Sequence, residues 1–472
     1  MLFTTFEFLV LMVVTFSVYY IRILSKAQPY ILLTSSLLFY GWNKPWLVAL
    51  LLISIILNSV STILVARADN RFKKKLIALL GVAINVGFLA FFKYNKLIIL
   101  TIFDSVSNLS PVEKMIYNLP LPIGISFFTF QGISLVMDVY REKTIDYDWI
   151  KKHPLKFIFD TGFFISFFPQ LIAGPIVKAK DFYYQIGSKS LKDVNWQLVF
   201  NDLVLGYFLK MVIADNLKEH TQYITYPHFY SLSSTDLTFM IFGYSIQIFA
   251  DFAGYSLIAL GLARIFGYEL RDNFLFPFIS ITFQEFWKRW HISLSSWLRE
   301  YLYISLGGNR KGKFRTYINL VFTMLVGGIW HGASWSFAVW GLFHGVLLAT
   351  EQFCKDKIKV PDHFYMKAVR ALWVFTGFSV ALILYRMQEY QHALKYLEAI
   401  FTSTAYSLNQ YYRQFNVIWY SIPVVLYHLL YLRKNKVPQP VLQQIKIWSY
   451  GIMIFLLFTN TGTTGSFFYF RF

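Results

Sequence analysis

The histidines of the stretch MLVGGIWHGASWSFAVWGLFHG, residues 324–345, lie among glycine, tryptophan and aliphatic residues, where water is expected to be scarce. Glycines around Trp330 and His331 remove side-chain bulk, so another backbone or a ligand can approach closely. A poorly solvated site favours the uncharged imidazole, which can accept a proton from a hydroxyl as a general base does. We therefore predict that His331 is catalytic. His344 lacks the cluster of glycines found around Trp330 and His331 and is predicted to be a structural histidine on the next helix, bonding across helices.

A second histidine lies in FQEFWKRWHISLSSWLREYLYISLGGNRKG, residues 283–312. Read as one helix, this stretch has an apolar side and a polar side. The apolar side consists of Phe286, Trp290, Leu294, Trp297 and Tyr301, and the polar side of Arg289, Ser293, Ser296 and Glu300. Such a helix suits a membrane interface or a cavity wall. His291 falls at the border of the apolar side, and both an interfacial and an active-site role remain open for it.

Several signatures of other chemistries are missing from the sequence. It contains no HExxH motif, no Cys or His cluster with metal-ligand spacing and no GxSxG motif, so we predict no bound metal or cofactor. The stretch GGNRKGKF nearly matches a phosphate-binding loop, but Phe314 replaces the required Ser or Thr. A basic turn that sets membrane orientation is the simpler interpretation, although its amides can still attract phosphates.

The elements that must position these residues are membrane helices. Hydrophobic residues make up 56% of the 472 residues and charged residues only 15%, whereas a soluble domain carries about a quarter charged residues. Apolar runs close to the ~20 residues that cross a bilayer recur along the chain. We predict an all-α polytopic integral membrane protein with about 11 transmembrane helices, the first of them retained and not a cleaved signal peptide. Linkers and long hydrophilic inserts are missing, which predicts one domain over residues 1–472.

The middle of the chain, about 117–350, differs from the ends because Gly, Pro, Gln and Asp interrupt its apolar runs. Pro169 and Pro175 bracket QLIAG in a way that suits a re-entrant turn, and irregular backbone at membrane depth survives only inside protein or along a wet cavity. Asp138, Asp251 and Gln247 fall in otherwise apolar helices, where each can bond a neighbouring helix or serve function. Together they predict an enclosed, partly hydrated centre, with lipid-facing helices at the two ends of the sequence.

The formal net charge of +19 comes from short Lys- and Arg-rich loops, which typically set the orientation of membrane proteins. We therefore predict a membrane partner and no nucleic-acid partner. The single cysteine, Cys354, excludes an internal disulfide and is predicted to be structural.

Four stretches together resemble the membrane-bound O-acyltransferase family, and more closely its bacterial branch that O-acetylates alginate or peptidoglycan. They are FFPQLIAGPIVKAKDF, DFAGYSLIALGLARIFGY, ISITFQEFWKRWHISLSSWLREYLYISLGGNRKG and LVGGIWHGASWSFAVWGLFHG. The resemblance runs along the whole chain and preserves the order of the motifs. It implies re-entrant and interfacial helices around a central tunnel, in the bacterial inner membrane. The catalytic core is then about 117–350.

The same resemblance implies roles for individual residues. His331 and His291 would form the catalytic pair, with His331 as the base and His291 orienting or stabilising the charge on a thioester carbonyl. The donor would be acetyl-coenzyme A entering from the cytoplasm, with Arg289 near its phosphates. The residues expected to line the donor site or tunnel are Arg289, Trp290, Trp330, Asp251 and Gln247. In the tail TGSFFYFRF, Tyr469 is either a transient acyl carrier or an aromatic residue of the membrane interface.

The resemblance further implies a periplasmic acetyltransferase or esterase-like partner that completes the reaction on a cell-envelope polysaccharide. Peptidoglycan is the first expectation for that polymer, and alginate or another exopolysaccharide is the alternative. A function of another class remains open, namely a transporter or flippase that moves an acyl group or lipid-linked sugar without chemistry. That alternative predicts dispensable histidines and no release of coenzyme A.

Overall fold

A computed structural model describes residues 1–103, 105–142, 145–172, 174–355, 357, 361, 363–387, 389–406, 409–433 and 435–463. Every regular element in these residues is helical. The first half of the chain forms α1 (Phe6–Tyr19), α2 (Gln28–Gly41), α3 (Trp46–Arg67), α4 (Arg71–Lys93), α5 (Asn95–Phe103), α6 (Pro111–Tyr117), α7 (Ile125–Tyr140), α8 (Tyr147–Lys152), α9 (Pro154–Ser166), α10 (Phe168–Leu171) and α11 (Ala179–Phe182). The second half forms α12 (Trp196–Tyr207), α13 (Asp215–Thr221), α14 (Ser234–Ile265), α15 (Phe283–Arg289), α16 (Ile292–Trp297), α17 (Lys313–His331), α18 (Trp335–Cys354), α19 (Phe364–Arg386), α20 (Tyr390–Thr402), α21 (Gln410–Arg433) and α22 (Gln439–Thr459).

Long apolar helices confirm the prediction of an all-helical, multi-pass membrane protein. Eight segments in the described residues are long and apolar enough to cross a bilayer, and a ninth results if the bent pair α1–α2 counts as one span. This number is near the roughly 11 expected from the sequence. The difference arises because some apolar runs of the middle region form helices that are too short to span, such as α7 with 16 residues and α9 with 13.

Two apolar helices illustrate how differently such segments are used. The most apolar stretch of α14 is 94% buried inside the protein, whereas that of α22 is 0% buried. An apolar helix that is exposed on all sides is typical of a helix in contact with lipid. The sequence predicts such lipid-facing helices at the carboxyl-terminal end. A buried helix such as α14 can instead carry polar side chains toward other helices.

The described residues divide into two compact units, Met1–Phe200 with Ile258–Arg271, and Asn201–Leu257 with Asp272–Phe472. A single domain over the whole chain stays a prediction. In the first unit, α3, α4 and α7 pack on one another, and a buried amide pair links Asn85 to Asn58 at 2.8 Å. Asp138 of α7 is fully buried and accepts a hydrogen bond from the backbone N–H of Lys180, so it ties α11 to α7.

The segment around Pro169 forms only the four-residue helix α10, all of it buried. The chain then runs without helix from Gly174 to Lys178. Irregular backbone is therefore enclosed in protein here, as membrane depth requires.

In the second unit, α17 and α18 form an antiparallel hairpin, because only residues 332–334 connect them. Gly328 and Gly341 face each other across this hairpin: a Cβ on Gly328 would lie 2.8 Å from the Cα of Gly341. The glycines near His331 thus serve helix packing as well as any ligand. Gly327 differs from Gly328 because it lies in the wall of a cavity, which is described below.

Candidate active site

His331 is the last residue of α17, and the helix ends there because Gly332 is extended. The side chain is buried, and its Nδ1 lies 3.1 Å from the hydroxyl of Tyr385 on α19. The ring of Trp340, on α18, packs edge-on against it at 5.1 Å. Three helices therefore hold this imidazole, and its hydrogen-bond partner is a neutral hydroxyl.

His331 lies in the wall of a cavity of about 900 Å³. Much of the wall is apolar, with Trp287, Met324 and Gly327 near the histidine. Cationic side chains occupy other parts of the wall, namely Lys288, Arg299, Lys355 and Arg370. Among the described residues of the wall, Glu351 is the one carboxylate; it accepts hydrogen bonds from the backbone N–H groups of Phe283 and Gln284 and so caps α15. The cavity thus combines an apolar interior with a net positive charge.

His291 breaks the helix that the sequence predicted over this stretch. The prediction of one continuous amphipathic helix is wrong: α15 ends at Arg289, α16 begins at Ile292, and a π-helical turn, Leu298–Tyr303, follows. His291 adopts φ 44° and ψ 54°, the left-handed region, which costs a non-glycine residue about 1–3 kcal/mol. Such a conformation persists only where the surroundings enforce it.

Asn273 provides that enforcement through both its backbone and its side chain. Its carbonyl oxygen accepts from the N–H of Ile292 at 2.9 Å. Its side-chain oxygen accepts from the N–H and the hydroxyl of Ser293, at 3.2 and 2.9 Å, and lies 3.2 Å from Nδ1 of His291. Its amide nitrogen donates to the hydroxyl of Ser256 on α14 at 3.2 Å. Asn273, His291, Ser293 and Ser256 are all buried.

The structure brings His291, His331 and Trp330 together. The two imidazole centres are 6.4 Å apart, and the Trp330 ring lies 6.2 Å from His291 and 5.0 Å from His331. Burial lowers the pKa of His291 to about 3, because the charged imidazolium loses its hydration. An uncharged imidazole, that of His291, is therefore available at this centre for proton transfer.

Comparison with known sequences identifies the family. The model of the membrane-bound O-acyltransferase family matches residues 150–387. This chain belongs to that family. The matched range contains both histidines as well as Asn273 and Tyr385, so the whole centre described above falls inside it. The prediction that the protein is an acyltransferase is confirmed.

Curated relatives of the acyltransferase carry names from three cell-envelope pathways. It is 35% identical to the peptidoglycan O-acetyltransferase of Helicobacter pylori over 78% of this chain and 73% of the relative. It is 33% identical to the probable alginate O-acetylase AlgI of Azotobacter vinelandii, over 87% of this chain and 80% of the relative. The teichoic acid D-alanyltransferase of Bacillus subtilis is 29% identical over 50% of this chain and 60% of the relative.

Arg289 and Trp290, both predicted to line the donor site of the acyltransferase, contact neighbouring residues of the protein. Arg289 bonds the carboxylate of Glu285 at 2.9 Å and the carbonyl oxygen of Leu275 at 3.1 Å. Trp290 is buried and stacks on Phe286 with ring centres 5.5 Å apart. Neither side chain is part of the wall of the larger cavity, and Trp330 is not part of it either.

Asp251 and Gln247 line a second cavity of about 440 Å³ that does not include His331. The ammonium group of Lys210 lies between two carboxylates, 2.7 Å from Asp251 and 2.7 Å from Asp215, and all three side chains are buried. Lys210 belongs to a π-helical stretch, Phe208–Ala214, between α12 and α13. Gln247 accepts a hydrogen bond from the hydroxyl of Thr221.

His344 lies on α18, the helix after His331, as predicted. Its ring packs among aromatic residues, the nearest being Trp340 at 4.8 Å and Trp287 at 5.1 Å. Neither ring nitrogen has a hydrogen-bond partner among the described residues, so the expected bond across helices is not seen there. His344 is also not part of the wall of either cavity.

Tyr469 lies outside the described residues. The last described segment runs beside the second cavity: the N–H of Gly462 donates to the carbonyl of Met211 at 3.0 Å, and Asn216 donates to the carbonyl of Asn460 at 3.1 Å.

Within the described residues, no group of three or more His, Cys, Asp or Glu is arranged to hold a metal ion. Metal-free chemistry stays a prediction.

Sequence reasoning missed Asn273, Tyr385 and Lys210. Asn273 and Tyr385 are ordinary residue types that lie 18 and 54 residues from the histidines they contact, and no local pattern marks them. For Lys210, by contrast, the sequence contains a local pattern that could have predicted its role. It stands with Asp215 inside the apolar run YFLKMVIADN, and two opposite charges at membrane depth predict an ion pair.

Proposed function

We propose that this acyltransferase moves acetyl groups from cytoplasmic acetyl-coenzyme A across the bacterial inner membrane for O-acetylation of a cell-envelope polysaccharide, with peptidoglycan the first candidate acceptor. The names of its relatives support O-acetylation and a cell-envelope polymer. The observation that carries the proposal is the buried His331 in the wall of a 900 Å³ cavity, 6.4 Å from a second buried histidine.

The charge distribution supports a cytoplasmic donor. Because α17 and α18 are antiparallel, the start of α17 and the end of α18 lie at the same end of the hairpin. Basic residues concentrate at that end, namely Arg310, Lys311, Lys313, Arg315, Lys355 and Lys357. Positively charged loops mark the cytoplasmic side. Lys355 also lines the larger cavity, so this cavity can receive the phosphates of coenzyme A from the cytoplasm.

The reaction would proceed by attack of a hydroxyl oxygen on the acetyl carbon of the thioester. His331 takes the hydroxyl proton while the new C–O bond forms, and the C–S bond then breaks. The proton passes to the departing thiolate, so coenzyme A leaves as the free thiol and the acetyl group remains as an ester. Tyr385 orients the imidazole through the 3.1 Å hydrogen bond. General-base assistance of this kind accounts for about 10²–10⁴-fold in rate.

The hydroxyl that first accepts the acetyl group is proposed to be that of Tyr469, and a periplasmic acetyltransferase or esterase-like partner is proposed to pass it to the polymer. The described end of the chain lies beside Asp215, in the wall of the second cavity, six residues before Tyr469. After incubation with acetyl-labelled coenzyme A, a Tyr469 carrier would appear as an acetyl ester on the tail peptide. Label retained by a Tyr469→Phe variant would exclude this carrier.

The test of the enzymatic proposal uses purified protein in lipid nanodiscs with radiolabelled acetyl-coenzyme A. Wild-type protein is expected to release free coenzyme A, and His331→Ala to release it at least 10²-fold more slowly. His344→Ala is the matched control, because it removes another buried histidine of the same helical hairpin that is part of neither cavity wall. Tight binding without release by the wild type would instead favour the transporter alternative.

A further inference from the structure

We infer that Asn273 is a positioning residue that fixes the tautomer of His291, so that the neutral ring carries its proton on Nδ1 and its lone pair on Nε2. The catalytic significance of this tautomer rests on the proposed acyl transfer. The assignment of the tautomer itself rests only on contacts within the second unit. Asn273 touches neither cavity wall and acts through His291.

The orientation of the Asn273 amide follows from its neighbours. The backbone N–H of Ser293 can only donate, and it points at one end of the carboxamide at 3.2 Å. That end must be the oxygen, since an NH₂ group cannot accept. The opposite end then donates to Ser256 at 3.2 Å, as a hydroxyl acceptor allows.

The tautomer of His291 follows from that orientation. An amide oxygen can only accept, and it lies 3.2 Å from Nδ1 of His291. A second polar atom near Nδ1, the Ser293 hydroxyl at 3.5 Å, donates its proton to the same amide oxygen at 2.9 Å. Nδ1 therefore carries the proton, and in the neutral ring Nε2 carries the lone pair. His331 differs, because the Tyr385 hydroxyl near its Nδ1 can donate or accept and leaves both tautomers available.

The backbone strengthens the assignment. The left-handed conformation of His291 places its ring, while Asn273 holds the next two residues through Ile292 and Ser293. One side chain thus sets both the position of the imidazole and the nitrogen that is protonated. The arrangement disfavours the role expected from the sequence, donation to the thioester carbonyl, because a neutral His291 has no proton on Nε2. It favours acceptance of a proton or a hydrogen bond from the neighbouring groups of the centre.

The test reads the tautomer directly. Protein labelled with ¹⁵N-histidine is reconstituted in lipid, and solid-state ¹⁵N spectra distinguish protonated from unprotonated ring nitrogens. The His291 signals are identified by their loss in His291→Gln. We expect a protonated Nδ1 and an unprotonated Nε2 in the wild type, and loss of this preference in Asn273→Leu. A wild-type His291 protonated at Nε2 overturns the inference, and so does an unchanged tautomer in Asn273→Leu.

Two further variants separate positioning from folding. Asn273→Asp keeps an oxygen that accepts from Nδ1 and should retain the wild-type tautomer, even if Asn273→Leu fails to fold. Ser256→Ala is the matched control, because it removes only the acceptor of the Asn273 amide nitrogen. Release of coenzyme A is measured in parallel and should fall at least tenfold in Asn273→Leu. If the tautomer follows these expectations while no variant, wild type included, releases coenzyme A, the proposed function fails and the positioning role stands.

Discussion

Two cavities of the second unit use polar side chains in different ways. In the smaller of them a buried cation is paired within the protein, with Lys210 held between Asp215 and Asp251 at 2.7 Å each. In the larger cavity the described wall has four cations and one carboxylate, and that carboxylate is engaged with the backbone at the start of α15. His331 lies in the wall of the larger cavity and has a neutral partner.

This difference separates polar groups that hold the fold from those that can act on a ligand. A buried cation between two carboxylates is satisfied by the protein itself, so its removal should mainly affect stability. Cations around an apolar cavity remain able to meet an anionic ligand. Substitutions in the smaller cavity should therefore mainly lower stability, and substitutions in the larger cavity should mainly weaken ligand binding. Three predictions test this difference, from the largest expected effect to the smallest.

Replacement of Lys210 by Met should have the largest effect on stability. The substitution removes the ammonium group that bonds the buried carboxylates of Asp215 and Asp251, and breaking a buried ion pair in this way typically costs about 3–5 kcal/mol. We expect a lower midpoint of thermal unfolding in detergent or nanodiscs. Lys218→Met is the control, because Lys218 lines the same cavity but makes no ion pair within 4 Å among the described residues. If Lys210→Met instead unfolds at the wild-type midpoint but loses turnover, these charged residues are catalytic, and the contrast between the two cavities is wrong.

Neutral substitutions in the wall of the larger cavity should weaken donor binding. Arg299→Gln and Lys355→Gln each remove a cation that is proposed to meet a phosphate, and a hydrogen bond to a charged group is worth about 1.5 kcal/mol, roughly tenfold in affinity. We expect the KM for acetyl-coenzyme A to rise by about that factor, with kcat nearly unchanged. Lys218→Gln in the smaller cavity should leave KM alone. Equal effects of all three variants would show that the two cavities do not differ in donor binding.

Replacement of His344 by Phe should have the smallest effect. The ring already packs only against aromatic side chains, and neither nitrogen has a hydrogen-bond partner among the described residues. Phenylalanine keeps the aromatic packing and removes two buried polar atoms. We expect turnover within about twofold of the wild type and an unfolding midpoint that is unchanged or higher. A loss comparable to that of His331→Ala would place His344 in the catalytic centre.

The sequence predicted the class of fold and the principal residues of the centre because these depend on local pattern. Apolar runs predict membrane helices whatever their arrangement, and the glycine-rich setting of His331 indicated close packing at that position. The structure then showed that Gly328 serves contact between α17 and α18. The glycines around His331 therefore have a packing role in the structure, and the catalytic role of His331 stays a prediction.

The break at His291 could not be predicted from the same kind of pattern. The stretch from 283 to 312 has good helical periodicity, and periodicity carries no information about a single residue in the left-handed region. The interactions that enforce the break come from Asn273, which is distant in sequence. The donor-site roles of Arg289 and Trp290 came from the family resemblance and stay predictions; in the structure Arg289 bonds Glu285, and Trp290 stacks on Phe286.

The most direct test of donor access uses Cys354, the only cysteine of the chain, which lines the larger cavity. A membrane-impermeant maleimide is applied to intact spheroplasts and to inside-out vesicles, with and without acetyl-coenzyme A. If the donor enters this cavity from the cytoplasm, the reagent should label Cys354 only in inside-out vesicles, and acetyl-coenzyme A should block that labelling. Labelling of intact spheroplasts, or labelling of inside-out vesicles that acetyl-coenzyme A leaves unchanged, would contradict the account.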